Sequence, residues 1–279
     1  MKTHVRHWGA DGAPRLFMLH GWMDVSASFQ FVVDCLSREW HVIAPDWRGF
    51  GMSDPNHAAS AYWFPDYLAD LEALLDHYAV GEAVDLLGHS MGANVAGLYA
   101  GVRPHRVARF INLEGFGLPT TQAQMAPARY ARWLDELQSP PSMRGYASRD
   151  EVAARLMKTN PRLSGDRAQY LAGHWAAMDE RGEWRILGDP AHKITNPVLY
   201  RVEEALACWE KITAPVLWVE ADNTDIWRWM GEKSQARAEI ERRRSFIPKV
   251  QMAIVENAGH MLHHDQPEQL ARMIEEFLI

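Results

Sequence analysis

The sequence predicts an α/β fold: a mostly parallel, doubly wound sheet carrying an inserted helical segment. Three observations lead there. Six short apolar runs lack the polar alternation of a half-exposed strand, the pattern of strands buried on both faces. Helical periodicity separates most of these runs, so consecutive strands are joined by crossovers. Between about residues 118 and 209 the strand rhythm stops, and helical patterns rich in Met and Trp replace it. The implied division is a core of residues 1–117 and 210–279 with an insert of 118–209.

The elements follow in order. Met1 to Val5 is polar and strand-like. Leu16–Leu19, His41–Ala44, Val84–Leu87, Arg109–Leu113, Pro215–Val219 and Val250–Val255 are the expected buried strands. Tyr67 to His77 is a helix, with Leu68, Leu71, Leu74, Leu75 and Tyr78 at helical spacing. Ala93 to Val102 is another. Its small residues recur every four positions (Gly92, Ala96, Ala100; Ala93, Gly97, Gly101), and glycine weakens a helix unless close packing requires it. In the insert, Tyr130, Trp133, Leu134 and Leu137 share a face, and Leu171, Trp175 and Met178 form a second stripe. Both stripes are expected to be interior. Ser148 and Glu151 have the spacing of a capping box. Pro267 to Leu278 places Leu270, Ile274, Phe277 and Leu278 on one stripe of a final helix.

Composition excludes several roles. A net charge of −7 opposes nucleic-acid or anionic-membrane binding as the main role. The basic run Arg242-Arg243-Arg244 follows Glu239-Ile240-Glu241 and is expected to be a solvated helix face. Two cysteines, Cys35 and Cys208, provide neither a disulfide framework nor a Cys-based metal site and are expected to be lone buried thiols. No apolar run approaches 18 residues and no signal-peptide core opens the chain, so a cytoplasmic protein is expected.

The chemistry centres on Gly88-His89-Ser90-Met91-Gly92, a G-x-S-x-G pattern at the end of a strand and the start of a helix. Such a turn forces the serine into strained backbone, lifts its hydroxyl clear of the sheet, and aims helix N–H groups at charge formed there. A serine hydroxyl needs a base, and the base an orienting carboxylate. Of 13 histidines, His260 is the best base: it follows a strand, sits in a turn begun by Gly259, and precedes the last helix. A metal reading of His260, His263, His264 and Asp265 lacks a clean ligand spacing.

With His20-Gly21-Trp22, Asp46-Trp47-Arg48-Gly49-Phe50-Gly51-Met52-Ser53, the serine elbow, Pro215-Val216-Leu217-Trp218-Val219 and Gly259-His260, the chain resembles the α/β-hydrolase family over essentially its whole length. The resemblance implies a catalytic triad in the order Ser, acid, His. It implies an oxyanion hole from the backbone N–H groups of Trp22 and Met91, and a helical cap at 118–209. His20 and the Asp46–Ser53 segment are expected to be architectural. The acid is expected at Asp225, just past the Pro215–Val219 strand, although Ala221 replaces the glycine of the common Gly-x-x-Ser-Asp pattern. Asp222 and Glu114 are the alternatives, Glu114 because some branches carry their acid on the earlier strand. The implied function is a serine hydrolase cleaving a carboxylic ester of a small or medium apolar substrate through an acyl-enzyme, with no cofactor or metal. Trp22, Trp47, Trp63, Phe64, Phe116 and Trp227 suggest an apolar pocket. Alternatives on this fold are a C–C bond hydrolase, lactonase or perhydrolase, a cofactor-independent dioxygenase, and a non-catalytic receptor.

Overall fold

A computed structural model describes residues 1–55 and 61–279. The chain forms β1 (Val5–Trp8), β2 (Arg15–Leu19), β3 (His41–Pro45), β4 (Val84–His89) and β5 (Val107–Leu113). In the insert come β6 (Gly145–Tyr146), β7 (Ala176–Met178) and β8 (Trp184–Ile186), then β9 (Val216–Ala221) and β10 (Val250–Val255). Seven strands make one sheet in the order β1-β3-β2-β4-β5-β9-β10. Only β1 is antiparallel to its neighbour.

Alternate residues of the central strands enter opposite cores. Phe17, Leu19, Leu86, Phe110 and Trp218 face one layer, with Leu71, Leu75, Val95 and Leu206 from the helices over it. Leu16, Met18, Leu87, Ile111 and Leu217 face the other, with Val32, Leu270, Ile274 and Leu278. Both faces are covered, which is why these strands read as unbroken apolar runs. The edge strand β10 differs from expectation: Gln251, Met252 and Ile254 are exposed.

The helix Met91–Val102 explains its small residues by close approach. A Cβ on Gly92 would sit 2.1 Å from the Leu19 carbonyl oxygen, and one on Gly101 1.9 Å from that of Cys208. Cys208 lies in the helix Val202–Trp209, so the last helix of the insert packs on the elbow helix rather than over the serine.

Residues 118–209 are not wholly helical. Helices Ala126–Gln138, Arg149–Thr159 and Gly165–Trp175 accompany the small sheet β6-β8-β7. Ser148 Oγ accepts the Glu151 N–H, as the capping pattern requires. The Tyr130–Leu137 stripe is not interior: no residue of Ala126–Gln138 is buried. Leu171 is buried, but Met178 leaves the helix for β7 and is exposed. The insert is fastened to the core through backbone bonds from Gly51 N–H to the Leu187 oxygen (2.8 Å) and from Asp189 N–H to the Gly49 oxygen (2.7 Å).

Two side-chain expectations also change. Arg243 is buried, donating to the carbonyls of Phe116 and Leu118, so the basic run is not a uniformly solvated face. Cys35 and Cys208 are free but only half-buried.

Candidate active site

Ser90 joins β4 to the helix Met91–Val102 with φ 50° and ψ −112°, a conformation that L residues adopt only under strain. The flanking glycines make the turn possible. A Cβ on Gly88 would lie 2.5 Å from the backbone of Gly92 and Ala93. The Ser90 N–H is held by the Leu113 carbonyl. Its hydroxyl lies 3.0 Å from His260 Nε2.

His260 Nδ1 lies 3.1 Å from Oε2 of Glu114, the residue that follows β5. Glu114 has a fully buried side chain and a φ of 56°. Its oxygens are otherwise engaged by the Ala221 N–H (2.8 Å) and the Thr224 hydroxyl (2.5 Å). Its own N–H donates to Val219. The acidic side chain is therefore fixed by the strand beside it, and Ser90, His260 and Glu114 form one hydrogen-bonded line.

The carboxylate expected in that place, Asp225, is elsewhere. It is partly exposed and pairs with Arg228 at 3.0 Å, one helical turn along. Asp222 is not at the histidine ring either. It accepts the Ala258 N–H (3.0 Å) and the Asn223 side-chain amide, bracing the loop before His260. The physical reason for the correction lies in β9. Ala221 N–H and Thr224, at its end, turn back onto Glu114, so the loop that would carry an acid instead holds one from β5.

The profile of the alpha/beta hydrolase fold matches residues 14–267. The chain belongs to the α/β hydrolase fold family. The serine hydrolase-like protein of Danio rerio is 25% identical over 280 residues, 97% of this chain and 83% of that one. The thioesterase domain from the curacin biosynthetic pathway superposes with a TM-score of 0.83 at 23% identity, covering 98% of this chain and 94% of that one. An esterase from Mycobacterium tuberculosis gives 0.71 at 19% identity, covering 100% and 92%. At these identities the two structures show a shared fold and nothing finer.

The family segments sit around the serine. A Cβ on Gly21 would lie 3.4 Å from Ser90 Cβ, which brings the Gly21–Trp22 turn against the elbow. His20 is buried: its Nδ1 donates to the Gly21 carbonyl (2.8 Å), and its Nε2 accepts the Trp47 N–H (2.9 Å). Asp46 accepts the N–H groups of Ser26 and Met52. Arg48 pairs with Asp66 and Asp70. All three hold loops in place. Of the aromatic residues expected to line a pocket, Trp47 and Phe116 are core residues, Phe64 and Trp227 pack against that core, Trp63 is half-buried, and Trp22 is exposed.

Further residues support the His260 loop, and of these Trp229, Asn160 and Arg167 carried no sequence signal. Trp229 sets its ring edge-on to His260, 5.3 Å between centroids. His89 Nε2 donates to the His260 carbonyl at 2.8 Å. The insert grips the same loop: Asn160 donates to Asp265, whose other oxygen accepts the Gly259 N–H, and Arg167 donates to the His264 carbonyl. Only a three-dimensional arrangement brings these distant segments to one loop.

No helix among the described residues is long and apolar enough to cross a membrane.

Proposed function

We propose that the protein is a serine hydrolase that cleaves a carboxylic ester through an acyl-enzyme. The observation that carries the reading is the line Ser90 Oγ to His260 Nε2 to Glu114 at 3.0 and 3.1 Å. In this mechanism His260 Nε2 takes the Ser90 proton as Oγ attacks the ester carbon. The Nδ1–H donated to Glu114 fixes the reactive tautomer and stabilises the imidazolium. The N–H groups of Met91 and Trp22 receive the oxyanion, each such donor contributing roughly 3–4 kcal/mol. His260 then protonates the leaving alcohol. Water, deprotonated by His260, attacks the acyl carbon and returns the serine and the acid product.

Trp229, edge-on to His260, and the exposed Trp22 beside Gly21 suit a small or medium apolar substrate. The name of the serine hydrolase-like relative supports hydrolysis without supplying a substrate. A p-nitrophenyl ester series, run on the wild type and on Ser90→Ala, tests the reading. Turnover and labelling by a fluorophosphonate probe are expected from the wild type and neither from the variant. Wild-type turnover by Ser90→Ala would remove the mechanism.

The position of Glu114 on the earlier strand favours a second reading, a cofactor-independent dioxygenase, because branches with that chemistry place their acid there. Oxygen uptake with aromatic hydroxylated substrates, in protein that cleaves no ester, would select it.

A further inference from the structure

Behind the Ser90–His260 pair lies a second polar cluster that the reaction does not use. Asp24 follows β2, His89 ends β4, and His263 lies in the short helix Leu262–Asp265. The three are buried, none more than 3% exposed. One carboxylate oxygen and one nitrogen from each ring lie within 4.8 Å of one another.

The polar atoms of this cluster are not all paired. Asp24 Oδ1 accepts the Val25 N–H (2.8 Å), the Trp175 indole N–H (2.9 Å) and the Ser28 hydroxyl. Its Oδ2 has no hydrogen-bond partner among the described residues, and neither do His89 Nδ1 or the two ring nitrogens of His263. Asp24 Oδ2 comes only within 3.7 Å of His263 Nε2. Each buried orphan costs about 1–3 kcal/mol, and native interiors hold few. Four converge here.

The tautomer of His89 points the same way. His89 Nε2 faces the His260 carbonyl, which can only accept, so Nε2 carries the proton and Nδ1 presents a lone pair. A histidine that binds a metal through one nitrogen commonly donates the other N–H to a carbonyl in this way.

We propose that Asp24, His89 and His263 form a site for a divalent transition-metal ion of the zinc class. Two imidazole nitrogens and a carboxylate oxygen are a donor set such ions take, whereas calcium and magnesium prefer oxygen alone. Tetrahedral bonds of about 2.0–2.2 Å set ligand atoms about 3.4 Å apart, so side-chain shifts of about 1 Å close the cluster. The ion offsets the Asp24 charge and uses the free lone pairs. It stands one hydrogen bond from the backbone of His260.

Zinc sulfate titrated into chelator-stripped protein tests the site, with bound metal counted by mass spectrometry after dialysis. One zinc per chain and a rise in Tm are expected. His263→Gln and Asp24→Asn should each weaken binding at least tenfold and remove the rise in Tm. Should either variant fold poorly by circular dichroism, zinc-soaked wild-type crystals measured on both sides of the zinc edge give a readout without any substitution. An anomalous peak between His89 and His263 is expected. No stoichiometric zinc in the wild type, unchanged binding in well-folded variants, or peaks at surface histidines only would overturn the site. None of these readouts involves turnover, so they stand apart from the hydrolase reading.

Discussion

Two histidine–carboxylate pairs flank His89, whose ring lies 4.9 Å from that of His260 and 4.3 Å from that of His263. In the first, Glu114 and His260 meet at 3.1 Å, and the carboxylate's remaining capacity is taken by Ala221 and Thr224. In the second, Asp24 and His263 stand 3.7 Å apart, and Oδ2 and both ring nitrogens have no hydrogen-bond partner among the described residues. Both carboxylates are buried and both histidines follow Gly259 within four residues. The difference is hydrogen-bond closure. A closed network fixes one ring orientation, as a base requires. An open one leaves lone pairs for something that the chain does not itself supply. Proximity of an acid to a histidine therefore does not identify a catalytic pair; the pattern of satisfied atoms separates the two.

The largest effect should come from opening the closed pair. Glu114→Gln keeps the size but loses the charge, and its amide can hold the wrong His260 tautomer. Turnover should fall roughly 10⁴-fold, measured as kcat on the best p-nitrophenyl ester, with the circular dichroism spectrum unchanged. A loss below tenfold would mean that His260 does not depend on this carboxylate.

Truncating the acid of the open pair should act on stability instead. Asp24→Ala strands the Val25 N–H and the Ser28 hydroxyl, and leaves the Trp175 indole N–H only its longer bond to Ser28 Oγ (3.3 Å). At about 1–3 kcal/mol for each buried orphan, a loss of about 3 kcal/mol or more is expected in urea unfolding. Stability within 1 kcal/mol of wild type would show that these donors find other partners and that the cluster is looser than drawn.

The two pairs were not equally legible in the sequence. Ser90 and His260 announce themselves through local rules: glycines around a strained turn, and a histidine between a strand and a helix. The sheet strands were legible for the same reason, since burial on both faces leaves a one-dimensional trace. The acid was not. Asp225 and Glu114 both follow strands, and the choice depends on which way the backbone of Ala221 and Thr224 turns. The Asp24 cluster was invisible because its members are 65 and 174 residues apart along the chain and carry no ligand spacing. The Ala126–Gln138 stripe misled in the opposite sense: helical periodicity shows that a face is apolar, not that anything covers it.

A smaller effect separates the buried imidazoles from ordinary ones as pH falls. Burial lowers the pKa values of His20, His89, His192 and His264. For His192, stacked between Phe50 and Tyr62, the value drops from 6.5 to about 4. A base held neutral in the fold binds fewer protons there than in the unfolded chain. Its contribution is full above about pH 6.5 and declines as pH falls toward the folded value. Stability should therefore decline between pH 6.5 and 4, and His192→Gln should make that decline shallower by up to one proton. Equal slopes in urea midpoints of variant and wild type would exclude His192 as a source.

The smallest effect should come from Asp225, and it sharpens the comparison most directly. This carboxylate sits in the loop where an acid was expected, yet it pairs with Arg228, whose side chain is 73% exposed. An exposed pair of this kind contributes between nothing and about 1 kcal/mol. Asp225→Asn should change kcat less than twofold and Tm by no more than a few degrees, against the roughly 10⁴-fold loss expected for Glu114→Gln. The contrast is informative because both substitutions remove one carboxylate charge near the same histidine loop. If charge in the neighbourhood were enough, the two variants would fall together. If hydrogen-bond closure decides, only Glu114 matters. A tenfold or larger loss in Asp225→Asn, with Glu114→Gln active, would return the acid to the loop after β9 and recast the buried Glu114 as a structural anchor for that loop.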